Sequence, residues 1–142
     1  MIVVVDSNAV IGLAKGKAFG LLHDLFGTTY IPASVWDEVV EKGAGRAGVA
    51  EAKAAKADGW LQSRPVAIST DPIIQRLRKA ADREVISLAQ ACGARWLITE
   101  DQEVRAVANS LSVDLLNTGD ILILAKRAGL IPDCRSVLDL MI

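Results

Sequence analysis

A chain of 142 residues suits one domain built round one core. Hydrophobic residues at 51% and charged residues at 23% argue against disorder, and an aromatic share of 4% argues against a base-stacking platform. Lys and Arg number 16 against 17 Asp and Glu, and this net charge of −1 speaks against a module that binds nucleic acid by charge alone. It does not exclude a nuclease, because a bound metal reverses the local charge of its carboxylates.

Met1–Asp6 is too short for a signal peptide and lacks a basic start. Ile2–Val5 reads as a first strand. His23, the only histidine, falls in a helical stretch, Phe19–Phe26, with no nucleophile pattern near it. Thr28–Ile31 reads as a second strand. Ser34–Lys42 follows as a helix carrying Val35, Val39 and Val40, with Ser34-Val-Trp-Asp37 as its capping box. Gly43–Gly48 is the loosest stretch, and Arg46–Ala57 is an Ala-rich charged helix. Trp60–Ala67 holds a weaker strand. Ser69-Thr-Asp-Pro72 starts a helix, with Pro72 at its first position. Asp82–Ala91 sets Val85, Leu88, Ala89 and Cys92 on one stripe. Arg95–Thr99 is a third clear strand, Gln102–Leu111 a helix, Val113–Leu116 a fourth strand and Asp120–Ala128 a helix with a basic end. Cys134–Ile142 reads equally as a short helix or a closing strand.

Near-continuous apolar strands alternating with helices predict an α/β fold, a parallel sheet of four to five strands with helices on both faces. One domain over residues 1–142 is expected, with no linker or repeat. No apolar run reaches the ~18 residues that span a membrane. Cys92 and Cys134 lie outside any CxxC pair and point to buried thiols in a reducing compartment, so a cytoplasmic protein is the expectation. Trp36, Trp60 and Trp96 are expected in the core or at a dimer contact.

In open α/β sheets, ligands sit at the carboxyl ends of the strands. Asp6 follows the first strand directly. Glu38 lies in the early turns of the helix after Thr28–Ile31. Glu100 and Asp101 follow Arg95–Thr99, Thr118 and Asp120 follow Val113–Leu116, and Glu84 sits in the first turn of the Asp82 helix. Acids that converge repel one another unless a cation joins them. Oxygen ligands select hard ions such as Mg²⁺ or Mn²⁺, which activate water and stabilise the leaving oxygen of a phosphodiester. Each acid also has a structural reading: Asp6 and Asp101 are favoured N-caps, and Glu38 and Glu84 suit solvated helix positions. Position alone leaves the two readings open.

The segments VVVDSNAVIGLAKG, IPASVWDEVV, ADREVISLAQACGARWLITEDQEVRAVA and NTGDILILAKRAGLI resemble the PIN-domain superfamily in order and spacing. They look closest to its DUF3368-type branch of VapC-type, toxin-like proteins. The resemblance covers nearly the whole chain and is weakest between Gly43 and Ile74. It implies a three-layer α/β/α fold. It places the family's first acid on Asp6, the second on Glu38 through Pro32 and Val35, the third on Glu84, and the fourth on Asp101, as catalytic residues and metal ligands. Asn8, Asp82, Glu100 and Thr118 fall to supporting or alternate positions. Ala81 stands where the family has Gly, Asp82 where it has Glu, and Glu100 adds an acid.

The implied activity is that of a Mg²⁺- or Mn²⁺-dependent endoribonuclease, a hydrolase leaving 5′-phosphate and 3′-hydroxyl ends. Many such proteins are toxins of type II toxin–antitoxin pairs, homodimeric and blocked by a partner antitoxin. RNA contacts are expected at Lys15, Arg78 and Arg83, within or opposite the basic cluster Arg76, Arg78, Lys79 and Arg83. The alternative is a non-catalytic PIN-like protein that binds nucleic acid or a partner. Gly43–Gly48 matches GxGxxG, but it follows a helix rather than a strand and is expected to be an active-site-edge loop. A dehalogenase-type phosphatase needs Asp at the third position of its DxD motif, where this chain has Asn8.

Overall fold

The computed structural model describes residues 1–43 and 45–142. Its centre is a five-stranded sheet of β1 (Ile2–Val5), β2 (Thr28–Pro32), β3 (Leu61–Arg64), β4 (Trp96–Ile98) and β5 (Leu115–Leu116), in spatial order β3-β2-β1-β4-β5. Every pairing is parallel, with Val3 opposite Thr29 on one side and Trp96 on the other. Val3, Val4 and Val5 are fully buried, which explains why β1 lacks the alternation of a half-exposed strand. Each such side chain contributes about 1.5–3 kcal/mol through burial.

The chain steps outward from β1 to β2 and β3, then returns past β1 to β4 and β5. Right-handed crossovers in opposite directions put helices on both faces. One helical layer contains α1 (Ser7–Lys15), α2 (Leu21–Phe26), α8 (Thr118–Arg127) and α9 (Cys134–Met141). The other contains α5 (Pro72–Gln75), α6 (Ala80–Ala91) and α7 (Gln102–Ser110). Between β2 and β3 run α3 (Ala33–Trp36), a π-helical turn (Asp37–Glu41) and α4 (Val49–Asp58). The fold is three-layered α/β/α. Among the described residues, no helix is long and apolar enough to cross a membrane.

Several sequence expectations shift. The weak strand is real but runs Leu61–Arg64, at the sheet edge. The C-terminal segment is a helix: α9 lays Val137 and Met141 on α1, where a Cβ at Gly16 would stand 2.7 Å from Met141 Cγ and 3.0 Å from Val137 Cγ1. The capping box at Ser34 does not form, because α3 begins at Ala33 with Pro32 before it and no side-chain cap. The single helix expected over Ser34–Lys42 changes to a π turn at Asp37, closed by a bond from the Lys42 N–H to the Asp37 carbonyl. Gly43 ends that turn because a Cβ there would lie 2.2 Å from the Val39 carbonyl oxygen. Cys92 and Cys134 are unpaired and half-buried. Trp36 is buried under the Lys56 ammonium, while Trp60 and Trp96 are half-buried.

Candidate functional site

The strand order reverses between β1 and β4, so their carboxyl ends diverge and leave a crevice. Asp6 ends β1 and Thr99-Glu100-Asp101 follows β4. Asp6 is 7% exposed; its Oδ1 accepts the Ala9 N–H at 2.8 Å, capping α1, and its Oδ2 accepts the Thr99 hydroxyl. Thr99 Oγ1 also accepts the Asp101 N–H at 3.1 Å, so a single hydroxyl ties the ends of the two strands together. Asp101 caps α7, its Oδ1 accepting the Val104 N–H at 3.0 Å. The structural reading of both aspartates as N-caps therefore holds. It does not compete with a chemical one, since a carboxylate has two oxygens and about four lone-pair sites.

Beyond this crevice lies a hollow of about 130 Å³ lined by Asp6, Ser7, Asn8, Val35, Glu38, Lys79, Ala81, Asp82, Val85 and Asp101. It joins the ends of β1 and β4, the π turn after β2 and the first turn of α6. Burial pushes the Asp6 carboxyl above its ordinary range, and the charges of Glu100 and Asp82 add to this against the bonds from Thr99 and Ala9. Burial also raises Asp82, reinforced by the carboxylates of Asp101, Glu103 and Glu38 and opposed by the Lys79 ammonium.

The third acid in the hollow is Asp82, where the sequence pointed to Glu84. The helix starts at Ala80, two residues earlier than expected, so Asp82 stands in its first turn and Glu84 beyond it. Residues two apart on a helix point about 200° away from each other, so both cannot enter one hollow. Glu84 is raised by burial alone, with no neighbouring carboxylate contributing.

Other expected residues separate in the same way. Asn8 lines the hollow. Glu100 lies outside it, its Oε1 accepting the Thr118 N–H at the start of α8, and Thr118 is buried behind it. Lys15 stands at the far end of α1 from Asp6, about 13 Å along the axis, which removes it from the site. Arg83 directs Nε to the Leu77 carbonyl at 2.8 Å and Nη2 to the Arg78 carbonyl at 2.9 Å. It thus pins the turn between α5 and α6, and Arg78 and Lys79 project from that turn. Arg78 is exposed and pairs with Glu103 at 2.8 Å. The described residues of the Gly43–Gly48 loop reach the edge of the hollow: Gly43, Arg46 and Ala47 line a neighbouring depression that shares Ser7, Asn8 and Glu38 with it. Thr99 and Lys79 were not singled out from the sequence as parts of the site.

The donors in the hollow are oxygens, which suits Mg²⁺ or Mn²⁺ and not zinc. Among the described residues, no three His, Cys, Asp or Glu stand close enough to hold an ion as they sit. The fit is one of donor chemistry and placement, not of ready-made coordination.

A family model described as a PIN domain, DUF3368, matches residues 2–142. Among solved structures, a PilT N-terminus domain protein from the hyperthermophilic archaeon Sulfolobus solfataricus P2 is similar with a TM-score of 0.57 and 18% identity, over 88% of this chain and 93% of that one. At that identity the likeness speaks for the fold. No curated protein matches. With the family model spanning all but the first residue, the chain belongs to the PIN-domain family.

Proposed function

We propose that the protein is a Mg²⁺- or Mn²⁺-dependent endoribonuclease whose working acids are Asp6, Glu38, Asp82 and Asp101. The observation that carries this reading is the gathering of those four carboxylates, from four separate elements, round one hollow that also holds Lys79. PIN domains are in general nucleases and typically use divalent metals, which supports the same reading. A divalent ion held by these carboxylates would lower the pKa of a water and offset charge on the departing oxygen.

The chain's own contributions follow from the geometry. Thr99 and the Ala9 N–H hold the Asp6 carboxylate fixed between β1 and β4. Asp82, with its raised pKa, is suited to receive a proton from the attacking water. Lys79 brings positive charge to a phosphate drawn into the hollow. Water adds to phosphorus, the bond to the 3′ oxygen breaks, and the water's proton ends on that oxygen, leaving 5′-phosphate and 3′-hydroxyl ends. Purified protein with Mn²⁺ is expected to cleave single-stranded RNA into fragments with those ends by mass spectrometry. Cyclic phosphate ends, or no dependence on divalent ions, would rule the reading out.

The same proposal extends to a cytoplasmic toxin of a type II toxin–antitoxin pair, working as a homodimer and silenced by its antitoxin. The family resemblance supports it. Exposed Ile123 on α8 and Leu138 and Leu140 on α9 offer apolar area for the dimer. Co-expression with the product of the adjoining reading frame should abolish cleavage, and sedimentation should give twice the chain mass. The spacing of the acids, too wide to chelate as they sit, favours one second reading, a non-catalytic PIN-like binding protein. Mn²⁺ binding without turnover on varied RNAs would establish it.

A further inference from the structure

The acidic hollow is one of four connected depressions. On one side it shares Ser7, Asn8 and Glu38 with the depression that carries Arg46. On the other it shares Lys79, Asp82 and Asp101 with a depression of about 260 Å³ bounded by Arg78, Gln102 and Glu103. That depression shares Arg78 and Glu103 with a groove of about 360 Å³ between α5 and α7. The groove is lined by Ile73, Leu77, Ala106 and Val107, with Arg76, Arg78, Glu103 and Ser110 at its margins. Leu77 is almost fully buried, so the floor is core and not loose surface.

The cations follow the same line. Arg46 stands before the acids, and Lys79, Arg78 and Arg76 follow one another after them. An anionic strand lying across the acids would meet positive charge at each step. The Arg78–Glu103 pair does not block this. Both side chains are exposed, at 84% and 52%, and solvent screening keeps such a surface pair weak, so Arg78 can turn to a phosphate.

We propose, resting on the ribonuclease reading, that the α5–α7 groove seats an unstacked base of the RNA strand whose scissile phosphate lies in the acidic hollow. The groove is continuous with the hollow, is lined by apolar side chains and has arginines at its rim. A base would lie against the aliphatic floor of Ile73, Leu77 and Val107, with a guanidinium plane of Arg76 or Arg78 over its free face. Arginine planes and apolar walls hold single-stranded bases where aromatic side chains do not. The groove has no aromatic residue in its lining, so it relies on these. Ser110 and Glu103 offer polar atoms to the base edge. Because a further depression separates the groove from the hollow, the specificity of this protein for sequence beyond the nucleotides that flank the cut resides in α5 and α7, outside the carboxylate set. Arg83, by pinning the α5–α6 turn, is a positioning residue for Arg78 and Lys79.

The test is the affinity of the Mn²⁺-loaded full chain for a labelled single-stranded oligoribonucleotide and for a dinucleotide, by fluorescence anisotropy. Ala106→Trp and Ser110→Trp fill the groove from exposed positions on α7, and Arg76→Glu reverses its rim. Each is expected to weaken oligonucleotide binding about tenfold and to leave dinucleotide binding unchanged. Unchanged oligonucleotide affinity in Arg76→Glu and either tryptophan variant, with binding by the wild type intact, would overturn the groove and leave the ribonuclease reading standing. Failure of the wild type to bind any RNA would overturn both.

Discussion

Asp6 and Asp82 carry the local electrostatics. Both are raised, so in the absence of metal each ionised carboxylate works against the fold. For an acid raised in the folded state, that penalty is present at neutral pH. It disappears as pH falls through the raised pKa toward the ordinary Asp range, where the proton returns. Metal-free Asp82→Asn should therefore melt above the wild type near pH 7, and the gap should close on acidification. A gap that widened on acidification would show the sign to be wrong. With metal present, Asp82→Asn should reduce RNA cleavage about a hundredfold or more, while Glu84→Gln stays near wild type. The reverse order would return the third acid to Glu84. That Asp6, Glu38 and Asp101 come to one hollow was readable from the sequence because each follows a strand end. Asp82 rather than Glu84 lines the hollow because α6 starts at Ala80, and its N-cap Lys79 makes no side-chain bond, so nothing in the sequence marks its first residue. Thr99 escaped notice because its partner, Asp6, lies on another strand and is adjacent only once the strand order is known.

The elements fix where these residues point. The π turn at Asp37–Glu41 carries Glu38, and Gly43 lets it close. Gly43→Ala puts a methyl group onto the Val39 carbonyl oxygen and should cost about 1–3 kcal/mol, with loss of cleavage beyond the loss of stability. Equal chemical activity after correction for folding would disconnect the turn from the site. At the other end of α1 from Asp6, Gly16→Val would lift α9 off α1. A fall in Tm of several degrees with unaltered metal binding is expected, as α9 does not reach the hollow. The four strong strands and the long helices were legible through their apolar patterns. The π turn was not, because Val35, Val39 and Val40 fit an α-helical stripe as well. The helix–strand ambiguity at Cys134–Ile142 resolves through tertiary packing: Val137 and Met141 find a seat on Gly16 that only a helix fills.

For the whole molecule, the order β3-β2-β1-β4-β5 brings an acid from β1's end, one from β4's end and two from flanking helices into one crevice. The near-neutral charge then makes sense as a local imbalance, with acids concentrated in the hollow and cations along the path that leaves it. A ligand that binds only the folded chain stabilises it by mass action, about 2.7 kcal/mol at a hundred times its Kd. Mn²⁺ at that level should raise Tm by roughly 5–10 °C at neutral pH, and much less at acid pH where protons compete for Asp6 and Asp82. The most direct test is anomalous diffraction from crystals soaked in Mn²⁺. The expected result is a peak bounded by Asp6, Asp82 and Asp101 with Glu38 nearby. A strong peak at Glu84, or none in the hollow at saturating Mn²⁺, would contradict the account.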